Sequence, residues 1–352
     1  MIIREFLFTP FDLKLKEPLR NASFTIESRS GFIIKITDEK NQVGYGEVSP
    51  LPGFSRETLY ECEVALNTLH YMIISKSVKN EELDLISELK TISNLPSLLF
   101  GIEQAVISLL IQRRELSTLL TYEKLIPING IVGINTKEET FRNIDDLLAK
   151  DFKTIKIKLG VNSIEDDVEL VKQITNRIDD SIKIRLDVNG NWNFQQAEFA
   201  VNNLPKDKIE LIEQPVNNVN ELVMLSDFSK IPIAIDESIS NTAEAKDIIE
   251  RSNITNIVLK PSLLGSIIQT ISLIKSAEKL EKKIIISSAF ESVVGRSAIV
   301  WLASFVEGNY AHGLNTAAHF EEDLATDDYL VFKGEILFDP KNNPPKFNGI
   351  DI

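Results

Sequence analysis

Five charged residues stand at even intervals in the second half of the chain, in the order lysine, three acids, lysine: Lys158, Asp187, Glu213, Asp236 and Lys260. The intervals are 29, 26, 23 and 24 residues, each the length of one strand and its returning helix. Each residue lies towards the end of a short apolar run: TIKIKLG (154–160), IKIRLDVNG (182–190), IELIEQP (209–215), IPIAIDES (231–238) and NIVLKP (256–261). Parallel strands closed into a barrel would bring all five side chains to one rim. Three carboxylates from neighbouring strands make an oxygen-rich cup that suits a hard divalent cation such as Mg²⁺, with positions left for substrate oxygens. Flanking lysines then suit proton removal beside a carboxylate. The resulting enediolate needs a divalent cation and a base tuned near neutrality.

A second lysine needs its own explanation. Ile155, Ile157 and Leu159 alternate with Lys156 and Lys158, so an extended chain puts both ammonium groups on one face. In a sheet with one wet face this is ordinary alternation. In a barrel it is not. A free lysine titrates at about 10.4, and reaching roughly 7 to 8 takes about 4 kcal/mol. A like charge at about 6 Å in an effective dielectric near 20 supplies nearly 3 kcal/mol of that. Lys156 is therefore expected to help keep Lys158 unprotonated and to contact a substrate carboxylate. Glu237, next to Asp236, should point the other way by alternation and receives no metal role.

The elements that would hold these groups are legible as a rhythm. Between IPINGIVG (126–133) and NYAHGLNT (309–316), short apolar runs alternate with polar segments of helical period. In SIEDDVELVKQITNRID, Ile164, Val168, Val171 and Ile178 form one stripe, with Ser163 and Asp166 in the form of a capping box. In LGSIIQTISLIKSAEKLEKK the stripe is Ile267, Ile271, Ile274 and Ala277. Eight strand-helix repeats over about 200 residues predict a (β/α)₈-type barrel. An open doubly wound sheet is the other arrangement, but no G-x-G-x-x-G follows the first strand. The first ninety or so residues read as a small α+β unit, and YLVFKGEILFDP near the end reads as strand returning to it.

Composition narrows the partners. The 352 residues are 43% hydrophobic, which suits a globular core. Lys+Arg 38 against Asp+Glu 52 leaves a net charge of −14, which would repel nucleic acid and anionic membranes. A small-molecule carboxylate substrate is expected, with no nucleic-acid or membrane partner; a homo-oligomer is compatible with the sequence. The single cysteine, Cys62, rules out an intramolecular disulfide framework and reads as a small buried hydrophobe. The N-terminus carries Arg4, Glu5 and Asp12 and does not read as a signal peptide, and the apolar stretch around 298–306 is about half of a membrane span. A soluble, cytoplasmic protein is expected.

The Lys-x-Lys strand, the three spaced acids and the later lysine resemble the enolase superfamily and its muconate-lactonizing subgroup, with GEVSPLPGFSRET (46–58) and SSAFESVVG (287–295) leaning towards its o-succinylbenzoate synthase branch. FGIEQA, PINGIV, RLDVNGNW, LKPSLLGS and HGLNT match in order, so the likeness covers about 46–316. It implies an α/β fold, a modified TIM (β/α) barrel with an N-terminal α+β capping domain completed by the C-terminal tail. The boundaries would be 1–97 for the cap, 98–322 for the barrel and 323–352 for the returning segment. Loops near 19–23 and 51–55 would close the mouth. The resemblance also implies Mg²⁺, with Mn²⁺ able to substitute, held by Asp187, Glu213 and Asp236. The implied reaction is dehydration of 2-succinyl-6-hydroxy-2,4-cyclohexadiene-1-carboxylate to 2-succinylbenzoate, a menaquinone-pathway step. Lys158 would take the α-proton and then protonate the departing hydroxyl, and Lys260 would stabilise the enediolate, with Lys156 assisting. Ser287 and Gly313 match substrate-contacting positions. Arg185 shares the face of Asp187 and reads equally as a contact to the succinyl carboxylate and as a structural partner of Asp187 or Glu213. Asn189 continues that face, and a turn residue before Gly190 is the reading preferred for it.

The same lysines would serve an N-acylamino-acid racemase or a dipeptide epimerase. Dipeptide epimerases usually carry D-x-D after strand eight, where this chain reads HGLNTAAHF. A Schiff-base aldolase could use a strand-end lysine but leaves three acids in register unexplained. A barrel without catalysis would bury five charges at a cost in stability with no return. His70, His312 and His319 read as structural or exposed, and Trp192 and Trp301 as packing.

Overall fold

The structure is a computed structural model that describes residues 1–20, 25–74, 92, 94–116, 122–133 and 136–342. The chain begins with two long alternating strands, β1 (Ile3–Arg20) and β2 (Thr25–Asp38), followed by β3 (Val43–Val48). They form an antiparallel sheet in the order β1-β2-β3. Helix Leu59–Ile73 is started by a reciprocal capping box between Thr58 and Glu61 and buries Cys62, Leu66, Leu69 and Ile73 at helical spacing. Burial pushes the Cys62 thiol up to about 12, which suits an inert core residue. The 19–23 loop expected at the mouth falls largely outside the described residues.

Helix Pro96–Gln112 is buried on nearly every face because it lies between β3 and the barrel. The approach is backbone to backbone. A Cβ at Gly44 would stand 2.1 Å from Ala105 O, and one at Gly46 would stand 1.8 Å from Gly101 O. Only glycine permits that crossing.

Seven parallel strands follow: β5 (Gly130–Val132), β6 (Thr154–Lys158), β7 (Lys183–Asp187), β8 (Ile209–Glu213), β9 (Ile233–Ile235), β10 (Asn256–Leu259) and β11 (Lys283–Ile286). They pair in sequence order, which is the barrel rhythm expected. The eighth strand is reduced to His312 and Gly313, which bridge Ile128 on one side and Ser287 on the other. Helices cover the outside by the stripes read from the sequence: Ile164, Val168 and Val171 are buried on helix Ile164–Arg177, and Ile267, Ile271, Ile274 and Ala277 on helix Ile267–Lys279. Inside the barrel, Leu211, Ala234, Val258 and Ile285 form a separate apolar cluster beneath the charged rim. Among the described residues no helix is long and apolar enough to cross a membrane.

The tail meets the N-terminal sheet through Leu324 and Ala325, which pack with Ile33, but the strand read near its end goes elsewhere. Strand β12 (Glu335–Phe338) pairs antiparallel with β4 (Lys124–Pro127) beside the barrel, not with the N-terminal sheet. Ile336 and Phe338 are fully buried there, with Ile126 opposite Ile336 and Tyr329 stacked on Phe338. Hydrophobic burial decides the pairing. The stretch that touches the N-terminal sheet comes earlier: Phe320 bridges Leu15, and Lys16 Nζ donates to Ala318 O at 2.9 Å.

The sheet is also bolted to the barrel by buried charge. Arg29, 1% exposed, donates to the carbonyls of Ser49 and Pro50 and to that of Phe290 after β11. Glu47 accepts from the amides of Ser292 and Gly295, so its carboxylate caps the N-terminus of helix Val293–Ser304.

Candidate active site

Parallel pairing sets the site in register. Lys158 lies opposite Asp187, Asp187 opposite Glu213, and Glu213 opposite Ala234, with Asp236 two residues further on. The three carboxylates are 1%, 2% and 4% exposed. Lys260 follows β10 directly. The structure therefore brings Lys156, Lys158, Asp187, Glu213, Asp236 and Lys260 together above the apolar layer.

Lys156 starts one layer lower, opposite Arg185, and reaches up along its aliphatic stem. Its Nζ stands 2.9 Å from Asp187 Oδ2 and 2.6 Å from Glu213 Oε1. Burial works against this ammonium, yet Asp187, Glu213 and Asp236 hold it above the usual lysine range. Lys260 is treated alike: burial opposes its charge, but Asp236, 2.6 Å away, and Glu237 raise its affinity for a proton. Asp187 is disfavoured as an anion by burial but kept below the ordinary carboxylate range by Lys156 and Lys158. Burial pushes Asp236 up to about 6 against the pull of Lys260. Lys158 is the least committed of the three lysines, with a side chain 36% exposed and Nζ 3.3 Å from Asp187.

Arg185, expected as a substrate contact or as a structural partner of Asp187 or Glu213, pairs with Glu210 instead of either acid. It lies in the lower layer, 1% exposed, with Nε 2.5 Å from Glu210 and NH1 2.7 Å from Ala311 O. His312 is beside it in charge terms, buried, accepting from the Ile286 amide, and pushed down to about 3 by burial and the Arg185 charge. Ser287 and Gly313 bridge each other at the rim, so close that a Cβ at Gly313 would stand 2.8 Å from Ser287 Oγ.

Three features escaped the sequence reading. Phe54, from the 51–55 loop, stands with its ring 5.6 Å from Lys260 Nζ, within reach of a cation–π contact. Gln214 staples the strand ends, accepting from the Asp236 amide at 2.9 Å and donating to Val216 O. Asn189 touches Lys158 and Glu237 at once. The left-handed backbone at Asn189 and Gln214, φ 49 and 41, marks both as specialised positions.

Asp187, Glu213 and Asp236 offer only carboxylate oxygens on adjacent strands, which is the donor chemistry a hard divalent cation takes. Among the described residues no three His, Cys, Asp or Glu side chains stand, as arranged here, so that they could hold a metal ion. Lys156 bridges two of the acids and Lys260 holds the third. The residues fit a cation that displaces ammonium groups from them.

Comparison with known proteins gives the context. Residues 139–341 match the family described as enolase C-terminal domain-like, and residues 10–109 match the MenC N-terminal domain. The chain is 30% identical to an o-succinylbenzoate synthase of Aliivibrio fischeri, over 86% of each chain. It is 26% identical to an L-Ala-D/L-Glu epimerase of Clostridium acetobutylicum, over 86% of this chain and 87% of that one. The o-succinylbenzoate synthase of Thermosynechococcus elongatus, solved with Mg in its active site, superposes with TM-score 0.77 at 26% identity, covering 91% of this chain and 95% of that one. A dipeptide epimerase of Enterococcus faecalis, solved with Mg and L-Leu-L-Tyr, gives 0.86 at 25% identity, covering 96% and 97%. With its three rim acids on consecutive strands and a MenC-type sheet ahead of them, the chain belongs to the enolase superfamily.

Proposed function

We propose that the protein is an o-succinylbenzoate synthase, a hydro-lyase of menaquinone biosynthesis acting in the cytoplasm. The observation that carries the reading is the rim itself: three buried carboxylates in strand register, with lysines entering from β6 on one side and from the end of β10 on the other. The MenC-type N-terminal match and the synthase relatives support the choice of substrate. On this reading residues 1–97 cap the barrel of 98–322.

Asp187, Glu213 and Asp236 would hold Mg²⁺. When bound, such a cation would supply positive charge beside the substrate carboxylate, and Lys156, which now bridges Asp187 and Glu213, would have to yield its place on them. Lys158 would be the base: it takes the α-proton, the C–H electron pair moves into the enediolate, and the C–O bond to the ring hydroxyl then breaks as Lys158 returns the proton. Water leaves and the ring becomes aromatic. Proton removal and return on one face make this a syn elimination. Lys260, held as an ammonium, meets the enediolate charge from the other side, with Phe54 bordering it. Ser287 and Gly313 border the ligand at the rim.

A second reading has its own observation. Lysines on both faces of the site are what a two-base racemisation needs, and an epimerase is among the relatives, so N-acylamino-acid racemase or dipeptide epimerase activity is the alternative. The stretch after the eighth strand, HGLNTAAHF, has no carboxylate with which to grip a substrate amine. The deciding experiment is turnover of the cyclohexadiene substrate with Mg²⁺, beside EDTA-treated enzyme and Lys158→Ala, with dipeptides and N-acylamino acids in parallel. Fast, metal-dependent synthase activity lost in the variant supports the proposal. Racemisation without dehydration gives the alternative.

A further inference from the structure

Lys158 has two acceptors, and they are not equivalent. Asp187 Oδ2, at 3.3 Å, is shared with Lys156 Nζ at 2.9 Å and belongs to a carboxylate that would also serve a cation. Asn189 Oδ1 is nearer, at 2.9 Å. An amide can be turned either way, but this one has its orientation imposed. Its Nδ2 donates to Glu237 Oε1 at 2.7 Å, and its backbone N–H donates to Asp187 Oδ1 at 3.2 Å. An ammonium only donates and a carboxylate only accepts, so the oxygen must face Lys158 and the nitrogen Glu237. The backbone is held in the left-handed region, φ 49, and the next amide, Gly190 N–H, is tied to Gln214 O at 2.7 Å.

We propose that Asn189, oriented by Glu237, is the positioning residue for Lys158: it holds the ammonium stem at one place on the rim when Asp187 is engaged elsewhere. The inference rests on the reading of Lys158 as the base. A tether to a neutral amide fixes direction without adding a charge that would favour the protonated lysine. Proton transfer is steep in distance, and a misplacement of about 1 Å can cost about 100-fold.

The test uses the full chain with Mg²⁺ and the cyclohexadiene substrate in α-protio and α-deuterio forms, on Asn189→Ala, Glu237→Ala, Glu237→Gln and the double alanine variant. Each alanine change is expected to lower kcat about 10- to 100-fold with KM within about twofold. The deuterium effect on kcat should rise as proton removal becomes limiting. Glu237→Gln, whose carbonyl still accepts from Asn189, should recover most of the loss. The double variant should be no worse than the poorer single one, because both act through one contact. A loss carried by KM, an unchanged isotope effect, or full activity in Asn189→Ala overturns the proposal. A readout free of substrate runs beside it: the two Cε protons of ¹³C-labelled Lys158 should be distinct in the native protein and averaged in both alanine variants. If the native enzyme does not dehydrate the substrate, the synthase reading fails, while this comparison still decides the tether.

Discussion

Lys156→Met keeps an unbranched stem of similar bulk and deletes one ammonium. In the native protein that ammonium stands 2.9 Å from Asp187 and 2.6 Å from Glu213, with both carboxylates nearly sealed from water. At an effective dielectric near 20 each contact has a gross Coulomb energy of roughly 6 kcal/mol. Desolvation of the ions offsets much of it, and removing one partner of a buried cluster leaves a net loss of about 3–5 kcal/mol. Urea unfolding in EDTA should show that loss. A divalent cation on the same acids should restore part of it, about 2.7 kcal/mol at a hundred times its dissociation constant. It should also stabilise the variant more than the native protein, in which it must first displace the ammonium. Equal stability of the two proteins in EDTA, or an Mg²⁺ shift no larger in the variant, would refute the argument that Lys156 neutralises this pair.

Further outcomes are expected elsewhere. Glu103, wholly buried, is pushed up to about 7 by burial despite its bond from the Ile268 amide. Its ordinary value is 4.5, so the cost of ionising it is full above pH 7 and fades as pH falls towards 4.5. Glu103→Gln should therefore raise stability above neutrality by roughly 1–3 kcal/mol, the gain narrowing on acidification, in urea midpoints followed against pH. Arg29→Lys cannot span Ser49, Pro50 and Phe290 with one ammonium and should cost about 2–4 kcal/mol by the same assay. Gly313→Ala puts a Cβ 2.8 Å from Ser287 Oγ; KM should rise about fivefold, ~1 kcal/mol, at a nearly unchanged melting temperature.

The rim was legible because two periodicities coincide there. Alternation assigns a face to Lys156, Lys158 and Asp187, and the repeat length brings Glu213, Asp236 and Lys260 to the same height. Alternation says nothing about depth, however. Arg185 shares a face with Asp187 and yet lies a full layer below it, where Glu210 and Ala311 claim its guanidinium. Glu237 defeated the rule for another reason. Strand β9 ends at Ile235, and the chain then turns, with Ile239 N–H bonded to Asp236 O, so period two no longer applies. Glu237 comes round to Asn189 rather than away from it. The partner of β12 could not be read from its own residues, since any antiparallel edge would satisfy its ladder; the apolar slot beside Ile126 exists only in three dimensions.

The glycine crossing between β3 and helix Pro96–Gln112 acts as a ruler. Where elements meet through side chains, each exchange of one hydrophobe for another moves them by a fraction of an ångström, and such shifts accumulate over evolutionary drift. Gly44, Gly46 and Gly101 leave nothing to exchange, because carbonyl already rests where a methyl would be. The spacing between β3 and this helix is thus insulated from most substitutions in either. Residues such as Phe54 can vary at the mouth while the frame that presents them stays in place.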